Sequence, residues 1–148
     1  MKEYKSKVGY GILIPIVLLH IGILLLPILT GQLVRPIIGM TVVLFLSLSF
    51  ILHVFYNTTY YINEKNQLLI KYGFIYNSTV EIADIKSIER TRNPISSPAA
   101  SMDRIELKYG KWNTVIISPK DKKELLNAFL AINPKITVDL KGFFYSLI

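Results

Sequence analysis

The sequence predicts an α+β membrane protein: a two-helix transmembrane hairpin followed by an antiparallel β-barrel or sandwich that one C-terminal α-helix caps. Two apolar blocks, at residues 8–30 and 37–56, contain no Asp, Glu, Lys or Arg, and each reaches the roughly 20 residues that span a bilayer. After the second block, apolar and polar residues alternate with the period of two that is typical of strands. We therefore divide the chain into residues 1–56, a tail and hairpin, and residues 57–148, one small domain.

The first apolar block is interpreted as a retained transmembrane helix rather than a cleaved signal peptide. It is longer than the roughly 7–15 apolar residues of a signal peptide, and Thr30-Gly31-Gln32 is a poor match to a small-residue cleavage site. The short connection makes the two helices antiparallel neighbours. Lysines precede the first helix and follow the second, whereas Arg35 alone lies between them. The positive-inside rule thus predicts a multi-pass protein of the inner (cytoplasmic) cell membrane with both termini cytoplasmic.

His20 lies near the middle of the first block, and Ser47 lies at a similar depth in the second. An ionisable residue at membrane depth is by default a functional hypothesis. The simpler interpretation is a neutral histidine satisfied across the helix pair, so we predict a His20–Ser47 polar pair. Gly11 and Gly22 share a face of the first helix and would permit close helix approach.

Six strands are predicted in the domain, at residues 58–62, 67–72, 74–82, 84–92, 103–109 and 112–117. A helical turn at the start of the fourth is a second interpretation, because Ile82, Ile85 and Ile88 are spaced by three. Alternation in the fifth predicts that Ile105, Leu107 and Tyr109 face inward and that Arg104, Glu106 and Lys108 face outward.

A C-terminal helix is predicted to begin at Ser118 as N-cap, with Pro119 at its first position and Asp121 at its third. Its apolar stripe includes Leu125 and Phe129, and Asn133-Pro134 ends it. The apolar tail at residues 135–148 is expected to add an edge strand or to lie against the domain or the bilayer.

Four segments carry a resemblance to a known family. They are Thr-Arg-Asn-Pro-Ile-Ser-Ser-Pro-Ala-Ala-Ser-Met-Asp-Arg-Ile at residues 91–105, Ile-Ser-Pro-Lys-Asp at 117–121, Ile-Ala-Asp-Ile at 82–85, and Asn133-Pro134. Over residues 59–136 the chain resembles the membrane-anchored bacterial PH-domain family called YyaB-like. The resemblance implies a PH-like barrel. It implies no functional residue, because the family has no established activity.

The domain contains no His and no Cys, which excludes a Ser-His-Asp triad and a zinc site built on those ligands. Its glycines occur singly, so no phosphate-cradling loop is present. We therefore predict no catalytic residue, no cofactor, no metal site and no enzymatic activity. The net charge of +7 comes without a basic, aromatic-interleaved motif, which argues against a nucleic-acid partner.

The stretch at residues 93–104, whose first ten residues form a predicted loop with two prolines, is the best candidate for a contact site in the domain. As a recognition loop it would present arginines to a carboxylate or phosphate. The alternative is structural, with the loop's polar residues bonding its own backbone and its arginines pairing with nearby acids. The candidate interaction surface comprises Arg90, Arg92, Asn93, Ser97, Asp103 and Arg104.

Three lysines, Lys120, Lys122 and Lys123, crowd the predicted start of the C-terminal helix. Their charge opposes the helix dipole, so contact with anionic lipid is one explanation and a solvated face is the other. Together with Lys65 they form the candidate lipid contact.

These observations favour a non-enzymatic, membrane-anchored PH-like interaction or scaffold module at the cytoplasmic membrane face. Its expected partner is an unidentified protein or a second copy of the chain. One alternative is an anionic-lipid-sensing module, and another is a small accessory subunit of a membrane transporter that uses His20.

Overall fold

The computed structural model describes residues 2–31, 34–74, 76–91 and 101–140, with only the backbone described for residues 34–37 and for Tyr76. Two helices, α1 (Tyr10–Leu29) and α2 (Val34–Tyr56), correspond to the two apolar blocks. Mean hydropathies of 2.8 and 2.3 make both helices apolar enough to cross a membrane, and both are long enough. Most of their side-chain surface is left uncovered by the protein.

The N-terminal segment, predicted as a basic tail, forms a strand. Strand β1 (Lys2–Lys5) pairs antiparallel with β2 (Thr58–Ile62), so that Lys5 lies opposite Thr59 and Lys2 opposite Ile62. Tyr4 contributes its side chain to the core. The helical hairpin is therefore inserted between the first two strands of a sheet, and the tail prediction was wrong for these four residues.

The described strands form two sheets. The first has the order β1-β2-β3-β4, with β3 at Gln67–Tyr72 and β4 at Tyr76–Glu81. The second has the order β7-β6-β5-β8, with β5 at Ile85–Thr91, β6 at Arg104–Tyr109, β7 at Asn113–Ile117 and β8 at Thr137–Asp139. Every pair of strands in the two sheets is antiparallel except β5 with β8. Within the described residues the two sheets do not close into a barrel, although an isolated bridge between Ser6 and Pro119 joins them at one corner.

A 3₁₀ turn at Ile82–Asp84 links the two sheets. This confirms the helical turn that the spacing of three indicated, and it explains why β4 ends earlier than predicted. The short strand β8 runs parallel to β5, which confirms an edge strand in the C-terminal tail. The remainder of that tail, residues 141–148, lies outside the described residues.

The C-terminal helix α3 (Lys122–Ile132) buries Leu125, Leu126 and Phe129 in the core between the sheets. Its N-cap is Asp121, three residues later than the predicted cap at Ser118, and the Asp121 side chain makes no capping hydrogen bond. The reason is competition from β1. Lys7 N–H donates to Ser118 O at 2.7 Å, and Lys120 N–H donates to Lys5 O at 2.9 Å. These bonds hold residues 118–120 extended.

Candidate functional site

The corner where β1 and β2 join the helices is closed by a cycle of buried hydrogen bonds. The Tyr60 hydroxyl donates to Ser6 Oγ at 3.3 Å, Ser6 Oγ donates to Ser118 O at 3.2 Å, and Ser118 N–H donates to Tyr60 Oη at 3.0 Å. Burial raises the pKa of Tyr60, and the bonds from Ser6 and Ser118 offset this only in part. We call this corner, comprising Ser6, Tyr60 and Ser118, the hairpin corner.

Three cations surround Asp103 beside the hairpin corner. Lys7 Nζ lies 3.1 Å from Asp103 Oδ2, Arg90 Nη2 lies 3.7 Å from Oδ1, and Lys122 Nζ also pairs with Oδ1. Partial burial acts to raise the pKa of Asp103, but the bonds and charges of Lys122 and Lys7 outweigh it, so the pKa lies below its ordinary value. One carboxylate thus organises three basic side chains from the N-terminus, β5 and α3.

Lys122 is the most enclosed cation of this cluster. Burial lowers the pKa of Lys122, and the neighbouring Asp103 restores it only in part. Its ammonium is committed to Asp103 rather than to solvent. Of the candidate lipid contacts, Lys122 is therefore a poor one, whereas Lys120 and Lys123 are exposed beside Lys7 on a shallow groove of about 590 Å³.

Lys65 lies apart from the other candidate lipid contacts. It sits in the turn between β2 and β3, beyond Ile62, which is the end of β2 remote from α2. Lys5 and Thr59, by contrast, pair at the end next to α2. The strand length separates Lys65 from Lys120 and Lys123, because each strand residue adds roughly 3.3 Å.

The candidate interaction surface is only partly assembled. Arg90 and Asp103 lie side by side, whereas Arg92, Asn93 and Ser97 fall outside the described residues. Arg104 is only 4% exposed, and its Nε–H donates to Ser101 O at 2.5 Å. The outward orientation predicted for Arg104 was wrong, because at the first position of β6 its guanidinium turns back onto the buried Ser101 carbonyl.

His20 and Ser47 lie within hydrogen-bond distance across the two helices. His20 Nε2 is 3.0 Å from Ser47 Oγ, and His20 Nδ1 is 2.8 Å from Ile16 O. Since a carbonyl only accepts, Nδ1 carries a hydrogen in this geometry. The Ser47 hydroxyl lies 3.0 Å from Nε2 and also donates to Leu44 O at 2.9 Å. Both ring nitrogens then have partners, as expected for a satisfied histidine. A Cβ atom added at Gly11 or Gly22 would meet nothing within 4 Å, so neither glycine lies at the contact between α1 and α2.

A second groove, of about 670 Å³, lies on the outer face of the first sheet against the end of α2. Lys5, Thr59 and Lys71 line its floor, and His53 lines its wall. A Cβ atom at Gly73 would come within 3.0 Å of the His53 ring, so glycine permits this close approach. The groove was not predicted from the sequence, because Lys5 belongs to β1, whose four residues carry little strand signal.

The comparisons with known proteins agree with this architecture. Residues 58–133 match the family described as Bacterial PH domain. The match begins at β2 and ends after α3, so it excludes β1 and both apolar helices. No curated protein and no solved structure matches the chain. Among the described residues, no three His, Asp or Glu side chains are grouped as metal ligands would be.

Proposed function

Because the chain belongs to the bacterial PH domain family, we propose that it is a non-enzymatic interaction module, anchored by two membrane-spanning helices at the cytoplasmic face of the membrane. The family match suggests protein-interaction or lipid-binding modules in general. Membership of the narrower YyaB-like family stays a prediction.

The observation that carries the proposal is the insertion of the hairpin between β1 and β2. Strand β1 leads into α1, and α2 leads directly into β2. Thr58 bridges the two parts, since its hydroxyl donates to Val54 O of α2 at 2.7 Å and its carbonyl accepts from Ser6 N–H at 3.0 Å. Two tethers next to each other hold the domain at a fixed height and orientation. A domain held in this way meets membrane-bound partners at a high effective concentration.

The proposed contact surface is the cluster of Arg90 and Asp103. Arg90 is exposed, and its guanidinium is the cation farthest from Asp103 in that cluster. It is thus able to exchange Asp103 for a partner's carboxylate at little cost, because exposed ion pairs contribute only about 0–1 kcal/mol. Arg104 is excluded from this surface by its burial.

Membrane topology is tested by cysteine labelling, since the chain has no cysteine of its own. With the full chain in intact cells, Gln32→Cys is expected to react with a membrane-impermeant maleimide, and Asn66→Cys only after the cells are opened. Labelling of Asn66→Cys in intact cells, or protection of Gln32→Cys, would overturn the orientation.

Partner binding is tested by cross-linking in membranes followed by recovery of the full chain. Wild type is expected to yield a specific protein partner or a self-associated species, and Arg90→Glu to reduce that yield at least five-fold. Lys65→Glu is the matched control, because it makes the same charge change in an exposed turn far from the cluster. Equal yields from wild type and Arg90→Glu, or no product from wild type, would refute the proposal.

A further inference from the structure

A row of outward-facing side chains crosses the first sheet beside the last turn of α2. Lys5 pairs with Thr59, Thr59 with Lys71, and Lys71 with Asn77. Directly opposed residues on neighbouring strands project from the same face, and the adjacent tyrosine in each of the first three strands is buried in the core. With strands about 4.8 Å apart, the backbones of Lys5 and Lys71 are roughly 10 Å apart, with Thr59 midway.

Aromatic side chains border this row on the side of the helices. Tyr56 and Phe74 are 56% and 71% exposed, and both line the same groove as the row. The Phe74 ring centroid lies 4.7 Å from that of His53, which fixes Phe74 against α2. Exposed aromatic residues at the end of an apolar helix are typical of the membrane–water interface.

The lysines of the row outnumber the acids of the groove, in which Glu3 is the carboxylate among the described lining residues. Lys5 and Lys71 are exposed, and neither joins an ion pair within residues 2–31, 34–74, 76–91 and 101–140. Two ammonium groups on either side of one hydroxyl form a set of donors suited to a phosphate, whose oxygens accept charge-assisted hydrogen bonds.

We propose that this groove binds the phosphate of a membrane phospholipid headgroup, with Lys5 and Lys71 on either side and the Thr59 hydroxyl donating to a phosphate oxygen. The inference rests on the proposed function, in which α2 leaves the bilayer at Tyr56. Thr59 follows three residues later, about 10 Å along an extended chain. The headgroup layer is roughly 5–8 Å thick on each side of the hydrocarbon core, so Thr59 lies at most at the outer edge of that layer. This lysine pair differs from the lysines near α3 that the sequence suggested.

The test is native mass spectrometry of the full chain in detergent with added palmitoyl-oleoyl phosphatidylglycerol. Wild type is expected to retain one lipid, and the double variant Lys5→Gln, Lys71→Gln to show at least a five-fold lower lipid-bound fraction. The control is Lys86→Gln with Lys111→Gln, which removes two exposed lysines outside the groove and leaves binding unchanged. Thr59→Val, with an expected loss of about two-fold, is a second variant that keeps both charges.

Three results would overturn the inference: equal retention by the double variant and wild type, equal loss in the control, or an adduct of the same stoichiometry with inorganic phosphate alone. Amide hydrogen exchange of β2 in each variant checks that the sheet is intact. Failure here is distinguishable from failure of the proposed function, since cysteine labelling and cross-linking do not depend on this groove. If cysteine labelling gives the expected result but wild type retains no lipid, the headgroup site is refuted and the proposed function is not.

Discussion

Two tyrosines that face each other across β1 and β2 should respond oppositely to the same substitution. Tyr4 and Tyr60 are directly paired, and they are 4% and 0% exposed. The Tyr60 hydroxyl is part of the hydrogen-bond cycle of the hairpin corner. The Tyr4 hydroxyl is buried and has no hydrogen-bond partner among the described residues. Phenylalanine at either position removes one oxygen and retains the ring.

The expected change in the free energy of unfolding depends on whether removing the hydroxyl leaves a buried group without a hydrogen-bond partner. Tyr60→Phe deprives the buried Ser118 N–H of its acceptor, and a buried donor without a partner costs about 1–3 kcal/mol. Tyr4→Phe removes a buried hydroxyl that is itself unsatisfied, so the same penalty is relieved. Lys2 Nζ, 5.6 Å from the Tyr4 ring centroid, retains its contact with the ring. We expect the free energy of unfolding to fall by about 2 kcal/mol for Tyr60→Phe and to rise by about 1 kcal/mol for Tyr4→Phe.

The assay is urea unfolding of the full chain in detergent micelles, followed through hydrogen exchange of the β2 amides, which report the sheet rather than the helices. Tyr61→Phe is the control, because Tyr61 lies on the opposite face of β2 and is only half-buried; it should change the free energy of unfolding by less than about 0.5 kcal/mol. A fall of equal size for Tyr4→Phe and Tyr60→Phe would refute the reasoning, since it would mean that the hydroxyls do not differ in satisfaction.

Two further predictions concern the charged cluster and the close approach of the sheet to α2. The pKa of Asp103 is lowered in the folded chain, so its contribution to stability is present above the ordinary value of 3.8 and is lost as the pH falls below it. Asp103→Asn should lower the free energy of unfolding by about 1 kcal/mol at pH 7 and flatten this acid-dependent loss in urea titrations; an unchanged acid profile would contradict the assignment. Gly73→Ala should destabilise the sheet by on the order of 1–3 kcal/mol, because Gly73 has a φ of +51° and abuts His53. Gly22→Ala, with open space around it, is the control for Gly73→Ala, and equal effects of the two would argue against the contact.

The alternation of apolar and polar residues predicted the strands that have one buried face and one face exposed to solvent. The bounds predicted for β2 and β3 are those observed, because five or six alternating residues give a clear signal. Periodicity did not predict β1. Strand β1 has only four residues, and Tyr4 is its single buried position, so the alternation gives almost no signal. The start of α3 was also wrong, because the Ser118-Pro119 signal is local whereas the bonds from Lys7 and to Lys5 come from more than 100 residues away in sequence.

The candidate site was predictable only where it depends on local sequence. The proximity of Arg90 to Asp103 requires the pairing of β5 with β6, and the contribution of Lys7 to the same cluster requires β1. Alternation predicted the wrong orientation for Arg104. At the end of a strand, the hydrogen bond to Ser101 O decides where the Arg104 side chain lies. The groove around Lys5 and Lys71 depends wholly on the register between non-adjacent segments, which no spacing in the sequence encodes.

The insertion of the hairpin between β1 and β2 has a consequence for biosynthesis. Strand β1 is made first, but its partner is made only after both apolar helices. Closing a flexible loop of roughly 50 residues would cost on the order of 3–4 kcal/mol in chain entropy. In the proposed membrane-anchored state, insertion of the helix pair into the bilayer would meet that cost before β2 is made. The two strands could then meet only if the chain crossed the membrane an even number of times before β2, and a chain that inserted only one helix would be left with an unpaired β2 edge.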